Sequence, residues 1–248
     1  MIGMSTEARQ HGSAGAVRWQ AFWTPKKGRR AAEYEDAFAV SESVEAGVPF
    51  RAALADGATE SVFARGWARL LADGFASGGP AIFADGLPTA RAAWAVEAQQ
   101  DDALPWYTAA KAAFGGAFAT LLGLALHLEE QTWQAAGVGD GNLFHLRKGA
   151  LRRAWPRAKA GAFDNRPVLL PSRENASAPD PRRAEGAFAP GDAFVLATDA
   201  AAAWLLRTAP AEALAWNGEA AFTEAVRHAR AAGLLKNDDT TVVTLQLS

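Results

Sequence analysis

Four acidic positions in this 248-residue chain stand at the ends of short apolar segments that are typical of β-strands. In the stretch FRAALADGATE the apolar run ends at Asp56, and Gly57 follows it. A carboxylate at the end of a buried strand, beside a glycine that permits an unusual turn, is well placed to bind a metal. Three similar positions are Glu35-Asp36 before AFAV, Asp199 after FVLAT, and Asp238-Asp239 before TTVVTLQL. We expect the fold to bring these strand ends together.

Such a cluster suits two hard divalent cations, because magnesium and manganese prefer oxygen ligands. The carboxylates would come from Asp36, Asp56, Asp199 and Asp238, with the Gly57 carbonyl as a neutral ligand. A two-metal site can activate water and stabilise the oxygens of a displaced phosphoryl group. Each acid alone has an ordinary structural explanation, since aspartate favours turns. The occurrence of four similar strand ends favours the metal site.

Composition excludes several other kinds of site. The chain has no cysteine, so disulfides, thiolate catalysis and zinc–cysteine sites are excluded, and a reducing, cytoplasmic location is expected. The four histidines have no ligand-like spacing, and the phosphate-binding and serine-nucleophile motifs are missing. A net charge of −2 gives no reason to expect nucleic acid or an anionic membrane as a partner. No apolar run reaches the roughly 18 residues of a membrane span. We also expect the protein to be a monomer.

Hydrophobic periodicity predicts strands at both ends of the chain and helices between them. The predicted strands are 17–23, 36–43, 50–55, 131–138, 142–147, 151–154, 193–198 and 240–247. The predicted helices are 61–75, 88–100, 105–126, 200–207 and 219–233, with a strand near Leu121 as the alternative for the end of the third. Residues 1–15 are expected to form a loose leader and residues 156–190 an irregular flap. The order favours one domain over 1–248, with two antiparallel sheets packed together and helices outside.

Five motifs in sequence order carry a family resemblance: EDAFAV, LADGATE, VGDGNLFHLRKG, FVLATDA and NDDTTVVTL. Together they resemble the metal-dependent Ser/Thr protein phosphatases of the type 2C family, in a divergent bacterial form. The resemblance covers about residues 17–247. It implies an α+β fold, a four-layer α-β-β-α sandwich of two antiparallel sheets flanked by helices, with two metals at one end.

The resemblance also implies roles for the strand-end acids. Asp56 would bridge two Mn²⁺ or Mg²⁺ ions, and the Gly57 carbonyl would bind one of them. Asp199 and Asp238 would be ligands of one metal. Water activated by the two metals would attack the phosphorus of a phosphoserine or phosphothreonine in a protein substrate. Such an enzyme would signal by opposing a Ser/Thr kinase.

Two further implied sites are less complete. Glu35 or Asp36 would lie near the other metal. Asp140, in GDGN, matches an acidic residue of the family and would hold a third, weaker metal. Many members have another aspartate where this chain has Ala203, so the resemblance leaves the third metal in doubt.

Other departures concern the phosphate and the substrate. Family members often carry an arginine where this chain has Ala31, which leaves Arg29 or Arg30, out of register, as candidate phosphate ligands. They often have Asp-Gly where this chain has Asp199-Ala200. Two alternatives therefore stay open. One is a weakly active or inactive phosphatase-like regulatory or binding module, and the other is a metal-dependent hydrolase of small phosphate esters.

Overall fold

The computed structural model describes residues 9–41, 46–58, 63–99, 116–163 and 166–248. Strands β1 to β7 are Arg9–Ala14, Val17–Thr24, Ala37–Val40, Phe50–Ala55, Phe118–Ala119, Leu121–His127 and Thr132–Val138. Strands β8 to β13 are Asn142–Arg147, Ala150–Trp155, Leu170–Pro171, Arg182–Ala187, Asp192–Ala197 and Thr240–Leu247. Helices α1 to α4 are Ala64–Gly78, Gly86–Gln99, Asp199–Arg207 and Glu219–Ala231. Short 3-10 helices cover Ala31–Glu33, Gly79–Phe83, Ala160–Ala162 and Pro210–Ala215.

Two antiparallel sheets dominate the described part of the chain. Sheet A has six strands in the order β1-β2-β13-β12-β8-β9, and sheet B has five in the order β11-β7-β6-β4-β3. The short strands β10 and β5 pair separately. Apolar side chains of both sheets meet in one central core, which includes Phe50 and Leu124 of sheet B with Phe194 and Val243 of sheet A.

Helices cover the outer face of each sheet. On sheet B, Trp67, Leu71 and Phe75 recur at helical spacing along α1 and are fully buried. Gly123 in β6 leaves room for the Phe75 ring, with which an added Cβ would overlap. On sheet A, the small side chains of α3 are buried with the aromatic residues of α4 and the segment before it. The predicted four-layer α-β-β-α sandwich is therefore confirmed.

Three sequence-based expectations need correction. Residues 9–14 of the expected leader form β1, which pairs with β2 through the turn at Gly15, whose φ is +55°. The predicted helix 105–126 is wrong from residue 116 onward, because an extended stretch with β5 and β6 follows there, as the alternative near Leu121 allowed. Its earlier part, 105–115, lies outside the described residues. The expected flap 156–190 contains β11, which forms an edge of sheet B against β7.

The described helices include none that is both long and apolar enough to cross a membrane.

Candidate metal centre

Sheet B brings two of the predicted acids side by side. β3 and β4 are antiparallel, and Ala37 at the start of β3 is opposite Ala55 at the end of β4. Asp36 immediately precedes the first of these residues and Asp56 immediately follows the second. The register therefore places both carboxylates at the same end of the sheet.

Sheet A brings the other two together in the same way. β12 and β13 are antiparallel, and the pairing is extended at one end where the Thr198 amide donates to the Thr241 carbonyl over 3.1 Å. Asp199 follows Thr198 directly and begins α3, while Asp238 lies in the turn just before β13. A carboxylate in the first turn of a helix is stabilised by the helix dipole.

Buried side chains join these two sheet ends. The Thr241 hydroxyl donates to Asp36 Oδ2, and the Tyr34 hydroxyl lies 2.6 Å from the same threonine oxygen. Asp239 accepts the Glu35 amide at 2.7 Å and the Lys26 amide at 2.8 Å. Asp239 therefore links the chain before β3 to the start of β13 through hydrogen bonds. Asp36 is oriented by a hydroxyl group from the opposite sheet.

The turn at Asp56 is held by the strand beside it. The Asp56 amide donates to Thr120 Oγ1 at 3.1 Å, and the Thr120 amide donates to the Asp56 carbonyl at 2.9 Å. A Cβ at position 57 would lie 2.7 Å from the Glu35 carbonyl oxygen, so only glycine fits there without a shift of the backbone. Gly57 thus lets the chain before Asp36 approach the turn that carries Asp56.

Electrostatics show that the acids influence one another. Burial and then the charges of Asp36 and Asp199 raise the pKa of Asp56 well above its ordinary value. Burial, and after it the charges of Asp239 and Asp199, also raise the pKa of Asp36 well above its ordinary value, although the hydrogen bond from Thr241 lowers it. Burial also raises the pKa of Asp199. A cation placed among these groups would offset the repulsion between them.

The oxygens present fit hard divalent cations. The donors are carboxylates with one neighbouring carbonyl, and Asp36 Oδ1 is buried without a hydrogen-bond partner among the described residues. Within the described ranges, no three His, Asp or Glu side chains already share one metal position. The acids are thus brought together by backbone register against their mutual repulsion, and side-chain adjustment would complete a coordination shell.

Three more predicted positions lie near this cluster. Asp140 is 2% exposed in the turn before β8, and its charge contributes to the raised pKa of Asp56. Ala203 lies one helical turn beyond Asp199 on α3 and is buried. Glu35 is half-buried, and its charge acts on the Arg29 guanidinium. Asp36, which couples electrostatically to Asp199 and Asp238, is the more central of the two neighbouring acids.

The basic turn, residues 24–32, carries two arginines that differ in contacts and exposure. Glu33 Oε1 lies 2.6 Å from Arg29 Nη1, and its Oε2 lies 3.5 Å from Arg30 Nε. The Arg30 side chain is 87% exposed and that of Arg29 50%. The nearby charges of Glu35 and Asp239 also act on Arg29, after Glu33, and raise its pKa. Of the two, Arg29 is therefore the less exposed, and its charge interacts with acids next to the cluster.

Sequence reasoning missed three cations around the acids. Lys236 Nζ lies 3.0 Å from Asp238 Oδ2. Arg230 Nη2 donates to the Asp238 carbonyl at 2.9 Å and so ties α4 to the turn before β13. Arg157 is half-buried and donates to the carbonyls of Gly139 and Ala162. Only Lys236 carried a usable signal, because it stands two residues before a candidate ligand.

Comparison with solved structures identifies the fold. A bacterial serine phosphatase bearing an arginine-to-lysine mutation has a TM-score of 0.64 at 13% identity, covering 93% of this chain and 97% of its own. The catalytic domain of the serine/threonine phosphatase PstP with two manganese ions has a TM-score of 0.60 at 17% identity, covering 93% and 98%. RsbX in complex with magnesium has a TM-score of 0.56 at 13% identity, covering 97% and 100%.

Sequence comparisons add nothing to this result, since no family model and no curated protein matches the chain. The architecture and the neighbours agree over nearly the whole length of the chain. The chain therefore has the fold of the metal-dependent Ser/Thr protein phosphatases of the type 2C family, as its sequence motifs indicate.

Proposed function

We propose that this chain is a metal-dependent phosphatase that hydrolyses phosphoserine and phosphothreonine in proteins. One observation supports the proposal: the acidic strand ends of two sheets in a phosphatase fold are joined by the Thr241–Asp36 hydrogen bond, and the other Asp36 oxygen is buried with no hydrogen-bond partner among the described residues. An aspartate kept in such a place, against both burial and charge repulsion, is costly to the fold unless it serves a ligand.

The acids divide between two Mn²⁺ or Mg²⁺ ions. Asp56 would be the shared ligand, as the family resemblance implies, and the charges of Asp36 and Asp199 both act on it. Asp199 and Asp238 would hold one ion, and Asp36, with Glu35 next to it in the chain, would hold the other. The Gly57 carbonyl is the neutral ligand. We propose two ions, because Ala203 supplies no acid to accompany Asp140.

The chain's own residues position the ligands and the phosphate. Thr241 holds Asp36 in one orientation, and Asp239 keeps the segment before β3 against the start of β13. Arg29, beside the acid cluster, is the candidate to orient a phosphoryl group, with Arg30 the second choice. The ions, when bound, supply positive charge for the phosphoryl oxygens and make water more acidic.

The proposed substrate is a phosphoprotein made by a Ser/Thr kinase, since the solved neighbours include a serine/threonine phosphatase. We propose that residues 1–248 act as one catalytic domain, as a monomer in the cytoplasm. The net charge of −2 gives no reason to add a nucleic-acid or membrane partner.

The decisive experiment measures Mn²⁺-dependent release of phosphate from a phosphothreonine peptide by the wild type and by Asp56→Asn. Loss of the shared carboxylate should reduce turnover at least about a hundredfold, because removal even of groups that only support metal ligands costs 10–100-fold. Asp85→Asn is the matched control, since Asp85 is exposed in the helical layer. Turnover near the wild-type rate in Asp56→Asn at matched metal saturation contradicts the two-metal site.

The same assay separates the two alternatives. A regulatory or binding module would bind the phosphopeptide with little or no metal-dependent turnover. A small-ester hydrolase would turn over an aryl phosphate far better than the peptide.

A further inference from the structure

Lys236 lies between the last helix and the candidate metal ligand Asp238. Its Nζ is 3.0 Å from Asp238 Oδ2, and the two side chains are 54% and 31% exposed. The residues on either side fix the backbone: Leu235 is 3% exposed in the core, and the Asn237 side chain accepts the Lys27 amide at 2.6 Å. The ammonium group is thus held beside the acid cluster by a short, well-anchored segment.

The Lys236 charge reaches beyond its ion-pair partner. Burial acts against its positive charge, but the Asp238 hydrogen bond, and after it the charges of Asp199 and Asp56, raise the pKa of Lys236. In the reverse direction, Lys236 is the largest influence that opposes the burial of Asp199. Three of the proposed ligands therefore interact favourably with one lysine of the same chain.

A tethered cation and a divalent ion place conflicting demands on Asp238. The Asp238 oxygen that accepts the Lys236 ammonium is a weaker donor to a divalent cation, and the nearby positive charge repels such a cation. We propose that Lys236 competes with the metal for Asp238, lowering metal affinity while partly compensating the acid cluster in the metal-free protein. The inference rests on the proposed metal site. It adds that Lys236 sets the metal concentration at which this site fills.

Isothermal titration calorimetry with Mn²⁺ tests this on wild type, Lys236→Met and Lys236→Arg. Lys236→Met has similar length and no charge, so Mn²⁺ should bind roughly two- to fivefold more tightly, in line with the strength of a half-exposed ion pair. Lys236→Arg keeps the charge and should bind like the wild type. Lys27→Met is the matched control, because Lys27 is exposed and adjoins the same turn.

A second measurement separates competition from a merely structural role. In excess chelator, Lys236→Met should melt at a lower temperature than the wild type, because the acids lose their compensating charge. In saturating Mn²⁺ this difference should shrink or disappear. A role in packing alone would lower the melting temperature in both conditions and leave the affinity unchanged.

The outcomes distinguish this inference from the function on which it rests. Equal Mn²⁺ affinity in wild type and Lys236→Met overturns the competition and leaves the metal site intact. Equal tightening in Lys27→Met shows a general charge effect and also overturns it. If no variant binds Mn²⁺, the proposed metal site itself fails, and the competition fails with it.

Discussion

Glu33 determines how much of the basic turn remains available to a phosphate. It accepts hydrogen bonds from the Arg30 amide and the Arg29 guanidinium, and these lower the Glu33 pKa to about 2. Arg29 is therefore partly neutralised, yet its position toward Glu35 and Asp239 keeps it beside the acids. Arg30 has the weaker contact and points into solvent. The two residues, equivalent in the sequence, are not equivalent in the fold.

Arg29→Lys should raise the KM for a phosphothreonine peptide about three- to tenfold, and Arg30→Lys should change it less than twofold. A guanidinium holds phosphate through two parallel hydrogen bonds that an ammonium cannot reproduce. Such charge-assisted bonds are worth roughly 1.5–3 kcal/mol, of which lysine retains a part. Steady-state kinetics at low and high salt check this. Equal KM values for both variants and the wild type would mean that the turn is only a solvated surface.

Substitution of Asp199 and substitution of Asp140 should affect phosphatase turnover to different extents. Asp199→Asn should cut phosphatase turnover about a hundredfold or more, as expected for a direct ligand. Asp140→Ala should cost less than about tenfold at saturating Mn²⁺, because Ala203 leaves the third site without its other acid. The kinetic comparison is made at matched folded fractions, judged by circular dichroism. Equal, large losses at unchanged stability would instead identify Asp140 as a ligand.

At the scale of elements, β8 and β12 are fixed together by a buried ionic cluster at the end remote from Asp199. Asp192 begins β12 and accepts hydrogen bonds from Arg147 at 2.8 and 2.7 Å and from the Ala189 amide at 3.0 Å. It also lies 2.8 Å from His145 Nε2. Six residues of strand, about 20 Å, separate Asp192 from the candidate metal centre. The cluster therefore stabilises the sheet without taking part in the proposed chemistry.

This cluster predicts a specific pH dependence of stability. Although burial opposes it, the hydrogen bonds from Arg147 and His145 lower the pKa of Asp192 from the ordinary 3.8 to about 2. A depressed folded-state pKa contributes stability above the unfolded pKa that is lost as the pH falls through the folded one. The contribution, roughly 2 kcal/mol, should be complete above about pH 4 and decline toward pH 2.

Urea denaturation of wild type and Asp192→Asn between pH 2 and pH 6 checks that dependence. The variant should be less stable at pH 6, and the gap should narrow as the pH falls. Its phosphatase turnover per folded molecule should stay within about twofold of the wild type. A gap that is constant over this range would show that the lost stability comes from packing and not from the charge.

The sequence predicted correctly those strands whose hydrophobic pattern and flanking residues are typical of a strand. An acid directly follows β4 and another directly precedes β13, and both strands appear where they were expected. β6 was assigned to a helix because its glycine-containing apolar run, LLGLALH, is buried on both faces and lacks alternation. β11, RRAEGA, was missed because an edge strand with few apolar residues resembles a loop.

At the scale of the whole molecule, the candidate site depends on how two sheets meet. The sequence could indicate four acidic strand ends, since the acids adjoin their strands directly. It could not show that Thr241 orients Asp36, because that bond spans 205 positions and requires both sheets to be in place. The sequence also could not show that Arg157 donates a hydrogen bond to the Gly139 carbonyl, 18 positions away.

A metal that bridges two sheet ends should stabilise the entire fold, because the unfolded chain cannot present acids from residues 36 to 238 together. At a free Mn²⁺ concentration 100 times the dissociation constant, one site adds about 2.7 kcal/mol. For a chain of this size that corresponds to a rise in melting temperature of about 5–10 °C. Calorimetry of wild type, Asp56→Asn and Asp85→Asn in chelator and in Mn²⁺ measures it. We expect Asp85→Asn to show the full rise and Asp56→Asn little of it, because only Asp56 belongs to the proposed site. An equal rise in all three proteins would place metal binding elsewhere on the molecule and contradict the bridge between the sheets.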